Sequence, residues 1–315
     1  MNQPHAAIDL GSNTFRLLIA RPAGSGHIPP WETMDYAHRI VRLGEGLHHS
    51  GSLAASAMQR ALKALHEFTA VLKQHDISPS RTQAVATAAV READNGRTFC
   101  DRIETETGIC VRIIDGDTEA ALSLQGATAV LLPKTCKNML LFDIGGASTE
   151  FIRADNGRLM DAVSCKLGVV RLVEAFLKSD PPGAGDYQAM KQTARTHLYT
   201  LGTGWTETPL HLVGTAGTVT TLAAVDLSLF PYDADAVNNH AISRKGFYGL
   251  RDRLLGLTHA EREAMPTIEA GRADLIIAGL AIIEAMLDHW HFDRLITVDA
   301  GLLEGVWLSA MKNAD

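Results

Sequence analysis

The residues able to do chemistry cluster at short turns. Asp143-Ile144-Gly145-Gly146-Ala147-Ser148-Thr149-Glu150 follows the apolar run Leu140-Leu141-Phe142 and precedes Phe151-Ile152. An acid at a strand end can hold a hydrated divalent cation, while backbone amides and hydroxyls in a glycine turn hold anionic oxygens. The spacing predicts strand, phosphate-sized turn, strand. Asp143 would hold the metal, and Gly145, Gly146, Ala147 and Ser148 would bind phosphate through their amides. An Asx-turn acid that merely closes a hairpin is the competing reading of Asp143. Glu150 reads equally as a second water-positioning acid or a solvated strand residue.

The same pattern occurs earlier. Ile8-Asp9-Leu10-Gly11 matches Phe142-Asp143-Ile144-Gly145, and Ser12, Asn13 and Thr14 supply the polar turn before the strand Phe15-Arg16-Leu17-Leu18-Ile19-Ala20. Two copies of strand, Asp, glycine turn and strand point to a duplicated fold. The simplest geometry faces the two loops across a cleft, with Asp9 as a weaker metal partner. Glu119 falls in the first turn of a helix after the strand Val111-Arg112-Ile113-Ile114. It is a candidate base for activating water, or an ordinary N-terminal acid favoured by the helix dipole. Arg91 offers a planar fork for phosphate oxygens, or is a surface helix arginine. Gly214-Thr215-Ala216-Gly217-Thr218 runs from a strand into a helix, where Gly214, Thr215 and Gly217 could contact phosphate or a nucleoside.

The elements carrying these turns alternate between strand and helix, which means α/β architecture. Strands are predicted at 6–10, 15–20, 37–43, 83–86, 111–114, 140–144, 210–213 and 295–298. A long helix capped by Ser52 should run to about His75, and further helices should cover about 187–201, 244–257, 270–290 and 302–311. The first domain is expected over 1–124 and the second over 125–301. The last helix, 302–315, is compatible with packing back on the first domain.

Composition sets limits. The 315 residues suffice for two cores, with 46% hydrophobic and 21% charged residues. A formal charge of −7 makes a long nonspecific nucleic-acid surface unexpected. No membrane-length apolar run or leader-like opening is present, so a cytoplasmic protein without a membrane partner is expected. Cys100, Cys110, Cys136 and Cys165 form no CxxC pair, and the thirteen histidines form no ligand-spaced cluster. The helical C-terminal half is compatible with a homodimer, although no stripe marks an interface.

Several stretches, in order, resemble the exopolyphosphatase / guanosine pentaphosphate phosphohydrolase (Ppx/GppA) family. They are Ala7 to Ile19; Arg42-Leu43-Gly44-Glu45-Gly46-Leu47; Ala86-Thr87-Ala88-Ala89-Val90-Arg91-Glu92-Ala93; Ile113 to Ala120; Asp143-Ile144-Gly145-Gly146; Val213 to Thr218; and Gly271-Arg272-Ala273-Asp274. The resemblance spans nearly the whole chain. It implies two ribonuclease-H-like domains of the actin, sugar kinase and heat-shock ATPase superfamily flanking a central cleft. It also implies the short form, without further C-terminal domains.

The implied activity is removal of terminal phosphate from inorganic polyphosphate, short chains included, assisted by Mg2+ or Mn2+. Glu119 matches the family's catalytic glutamate, with Glu150 and Arg91 beside it in role. Hydrolysis of guanosine pentaphosphate, which would tie the chain to the stringent response, is an alternative, as is a non-catalytic alarmone-binding regulator. Two positions depart from the family pattern. Ala147 stands where a third glycine is usual, so a negative φ is expected there. Asp115 replaces a common serine, placing a charge that either affects Glu119 or faces solvent.

Overall fold

The computed structural model describes residues 3–24, 26–201, 205 and 209–314. Asp315, the end of the expected last helix, lies outside them. The chain divides into two compact units, one of residues 1–130 with 300–315, the other of residues 131–299. The first boundary lies past the expected Leu124, because the helix containing that residue continues to Thr128.

In the first unit, strand β1 (His5–Leu10) pairs antiparallel with β2 (Thr14–Pro22), and β2 with β3 (Trp31–Ile40). Helices α1 (Leu47–Ser50) and α2 (Ala55–Gln74) follow. Strand β4 (Thr82–Ala86) pairs parallel with β1, and β5 (Val111–Ile113) parallel with β4. Helices α3 (Ala88–Glu92) and α4 (Gly96–Thr107) lie between β4 and β5, and α5 (Gly116–Thr128) follows β5. The sheet order is β3-β2-β1-β4-β5.

β1 is buried from Ala6 to Leu10 because α2 and the last helix, α13 (Leu302–Ala314), supply apolar cover. Trp307 of α13 donates its indole N–H to the carbonyls of His5 and Ala20. α13 crosses α5 closely: a Cβ at Gly126 would sit 1.9 Å from the Gly301 carbonyl oxygen, and one at Gly305 equally near that of Leu122.

The second unit repeats the plan. β6 (Met139–Ile144), β7 (Thr149–Asp155) and β8 (Arg158–Cys165) form an antiparallel meander, and β9 (His211–Thr215) pairs parallel with β6. Between them lie α6 (Val169–Phe176) and α7 (Ala184–Tyr199). After β9 come α8 (Ala216–Leu227), α9 (Ala234–Val237), β10 (Ala241–Ser243), α10 (Arg244–Leu255), α11 (His259–Glu263), α12 (Leu275–His289) and β11 (Arg294–Thr297). The sheet order β10-β11-β9-β6-β7-β8 contains the first unit's order, with β10 added at one edge. α12 is buried all round from Leu275 to Leu287; the stretch is apolar except for Glu284, whose carboxylate accepts from Tyr187, Lys191 and Arg251.

Three local expectations fail for physical reasons. Ser52 does not cap α2; Ala54 holds that position without a side-chain bond, and Asn95 secures the segment through both backbone groups of Leu53. β8 was not expected, because an exposed edge strand needs no apolar alternation. β3 begins at Trp31 and ends at Ile40, since residues 41–44 leave the sheet to bind the first polar turn.

Candidate functional site: two amide turns and their carboxylates

The Gly11 amide donates to the Thr14 carbonyl across the first turn, 3.2 Å away. Behind the turn, the Ser12 carbonyl accepts from Gly44 N–H, and the Asn13 carbonyl accepts from Val41 and Arg42 N–H, each at 2.8 Å. With their carbonyls tied back, the amides of Ser12 and Asn13 donate to no group among the described residues. That is the arrangement of an anion-binding nest. Thr14 accepts from the Asn13 side-chain amide.

Asp9 lies beneath this turn, directly opposite Arg16 on β2. Arg16 donates through Nε (3.0 Å) and Nη2 (2.7 Å) to Asp9 Oδ2. Burial alone would lower the Arg16 pKa, but Asp9, Tyr36 and Glu304 beside it hold it above the ordinary value. Among the described residues, Asp9 Oδ1 and Asn13 Oδ1 are buried acceptors with no hydrogen-bond partner.

Glu119 and Arg91 meet in the same unit. Asp115 caps α5 by accepting from Thr118 N–H at 2.8 Å, which places Glu119 in the helix's first turn. The short helix α3 brings up Arg91, whose Nη1 donates to the Ile114 carbonyl (2.7 Å) and to Glu119 Oε2 (3.0 Å). Arg91 thus orients the candidate base, a contact the sequence reading did not include. The Asp115 side chain is exposed, and the bond from Thr118, aided by Arg91, lowers its pKa. Serine would cap the helix equally well, so this departure from the family pattern preserves the local structure.

In the second unit, Gly145 N–H donates to the Ser148 carbonyl at 2.9 Å, the same closure as Gly11 to Thr14. Here the start of α6 ties back the carbonyls. Val169 N–H binds that of Gly145, Val170 N–H that of Gly146, and Arg171 Nε that of Ala147. Gly168 permits this approach, since a Cβ there would lie 2.2 Å from the Gly146 oxygen. The amides of Gly146 and Ala147 donate to no group among the described residues. Ala147 is absent from the residues with positive φ, so alanine fits without left-handed strain.

Asp143 stands opposite Glu150 on β7 and opposite Thr215 on β9. Asp143 is 8% exposed and Glu150 1%, so Glu150 is not a solvated strand residue. Glu150 Oε1 accepts from the hydroxyls of Ser148 and Ser164, both at 2.8 Å. The Ser148 hydroxyl is therefore committed, leaving its main chain for any phosphate. Burial, reinforced by Glu150, pushes the neighbouring Cys165 thiol up to about 11.

Gly214 to Thr218 forms the β9–α8 turn. Ala216 there has φ +69, a strained conformation for alanine. A Cβ on Gly214 would overlap the Phe142 ring, and one on Gly217 would overlap the Arg272 guanidinium. Arg272 is anchored by Glu269 at 2.7 Å. The glycines thus answer packing needs, and a phosphate role for Gly214, Thr215 and Gly217 remains a proposal.

The donor set fits a small oxygen-bound cation. Asp143 and Glu150 place two buried carboxylates side by side, which favours a positive charge near them. Asp9, in the first unit, is already neutralised by Arg16. Among the described residues, no three or more His, Cys, Asp or Glu gather as a ligand cluster. A cation would thus draw further ligands from water and phosphate, as magnesium commonly does. The sequence reading missed Arg16, Ser164, Gly168 and Arg171. Arg16 alone had a signal: it follows Asp9 by the seven residues that separate Asp143 from Glu150.

The Ppx/GppA phosphatase family model matches residues 20–314. Exopolyphosphatase 2 of Mycobacterium tuberculosis is 33% identical over 316 residues, covering 96% of this chain and 97% of its own. The crystal structure of the Aquifex aeolicus Ppx/GppA family member covers 100% of this chain and 99% of its own, with TM-score 0.82 and 28% identity. That of an exopolyphosphatase from Cytophaga hutchinsonii covers 99% and 98%, with TM-score 0.86 and 29% identity. Two ribonuclease-H-like domains of the actin-like type account for the repeated sheet order, and the chain belongs to the Ppx/GppA phosphatase family.

Proposed function

We propose that the protein is an exopolyphosphatase that hydrolyses the terminal phosphoanhydride bond of inorganic polyphosphate. The carrying observation is the repeated turn whose carbonyls are tied back and whose amides are presented beside a carboxylate. Such turns bind phosphate oxygens without regard to what the chain is attached to. The Mycobacterium tuberculosis relative, named an exopolyphosphatase, supports the substrate class.

Glu119, oriented by Arg91, accepts a proton from the attacking water as its oxygen bonds to phosphorus. The bond to the bridging oxygen breaks, and the shortened chain departs as an anion. Within the first unit, the amides of Ser12 and Asn13 would hold phosphate oxygens; within the second, those of Gly146 and Ala147 offer the same kind of contact. Arg91 retains donors for the same oxygens. Asp143 and Glu150 would hold magnesium or manganese, which supplies charge neutralisation when bound.

The test is phosphate release by purified protein from short polyphosphate, long polyphosphate, guanosine pentaphosphate and ATP, each with and without magnesium. Preference for polyphosphate supports the proposal, whereas turnover of guanosine pentaphosphate alone replaces it. Glu119→Gln should retain the fold and lose at least about a hundredfold in kcat. Near-wild-type turnover in that variant removes Glu119 from the base role.

A further inference from the structure

A pocket of about 440 Å³ opens in the first unit beside Arg91. It lies at the junction of α3, α4 and the end of β5, with Arg97, Asp94, Ile114 and Asp115 among its walls. Arg91 carries only Nη1 to Glu119 and the Ile114 carbonyl, so its Nε and Nη2 have no acceptor among the described residues. Arg97 is exposed in the first turn of α4 and makes no hydrogen bond or ion pair among the described residues. Two guanidinium forks thus share one pocket with most of their donors unanswered.

Two acids also line it, and their placement matters. Asp115 directs its carboxylate to the Thr118 amide as the cap of α5. Asp94 is exposed, where water screens it, and its backbone is fixed by a bond from its N–H to the Gly51 carbonyl. The remaining walls are aliphatic and include no aromatic ring. Such a lining offers a nucleobase nothing to stack on, whereas planar guanidinium forks match tetrahedral oxyanions.

We propose that this pocket is a second anion subsite, in which Arg97 binds an internal phosphate of a polyphosphate chain whose terminal phosphate is held near Glu119 and Arg91. The proposal rests on the exopolyphosphatase reading and extends it. Arg91 joins the two positions, because it touches Glu119 and also lines the pocket. Affinity should then rise with chain length once the chain reaches Arg97.

The experiment compares wild type, Arg97→Gln, Arg97→Lys and, as a charge control away from the pocket, Arg102→Gln. KM and kcat are measured for tripolyphosphate and long-chain polyphosphate. A hydrogen-bonded charge contact predicts a long-chain KM about tenfold higher in Arg97→Gln, with kcat retained. The tripolyphosphate KM should move less, Arg97→Lys should recover part of the loss, and Arg102→Gln should match wild type. An unchanged long-chain KM, or an equal change for both substrates, overturns the internal-phosphate subsite. Calorimetric titration with long-chain polyphosphate separates the two possible failures. Equal binding by wild type and Arg97→Gln overturns the subsite and leaves hydrolysis standing. No binding by wild type overturns both.

Discussion

At the scale of single residues, the two hairpins differ most at one position. Opposite the strand-end acid, the first hairpin has Arg16 and the second has Glu150. One pair is neutral by itself; the other sets two carboxylates together in a buried place. This asymmetry in charge distinguishes the two hairpins. It also predicts a cost for removing Arg16, since Asp9 would be left as an unpaired buried charge. Arg16→Met should destabilise the first unit by about 3 kcal/mol, the lower end of the range for broken buried pairs. The lower end applies because the Arg16 side chain is 20% exposed. Denaturant unfolding measures the loss, and adding Asp9→Asn should recover much of it. A single Arg16→Met variant as stable as wild type would mean that the pair is screened by solvent.

At the scale of elements, the second turn is an extension of α6. The Gly145, Gly146 and Ala147 carbonyls are each bound by the beginning of that helix, and Gly168 lets the chains approach. Gly168→Ala should therefore displace the turn. Overpacking against backbone costs about 1–3 kcal/mol, and a shift near 1 Å in a phosphate-positioning loop can cost about a hundredfold in rate. Gly185→Ala is the matched control, because nothing lies within 4 Å of a Cβ there and the residue is in α7. It should leave kcat/KM unchanged and be neutral or slightly stabilising. If both variants behave alike in stability and kcat/KM, the close approach at Gly168 does not hold the turn.

At the scale of the whole molecule, the two units carry separate hydrophobic cores, so unfolding need not be a single transition. Acid should affect the second unit more. Burial would raise the Asp288 pKa, but Lys191, Tyr248 and Arg244 lower it overall. A depressed folded-state pKa gives stability that is present above the ordinary carboxylate range and fades as pH falls through the folded value. Asp186, held low by Lys178 and Ser179, and Glu261, held low by Thr258, belong to the same unit. The second unit's melting transition should thus fall with acidification below about pH 4. Asp288→Asn should weaken that dependence, as scanning calorimetry across pH can show. An unaltered pH profile would exclude Asp288 as its source.

Local pattern was enough for much of this protein. The strand–acid–glycine turn appears twice in the sequence because each copy closes within a few residues, and Asp115 to Glu119 marks a helix start over a single turn. The family resemblance then gave the fold class. Tertiary structure decided what crosses long stretches of chain. Residues 41–44 and 168–171 tie the turn carbonyls back, and Arg91 reaches Glu119 across 28 positions. Edge strand β8, exposed over its first half, was set by pairing with β7. Periodicity and capping record interactions between near neighbours. The direction of a turn's amides depends on distant donors that hold the opposite carbonyls, and no local spacing encodes them.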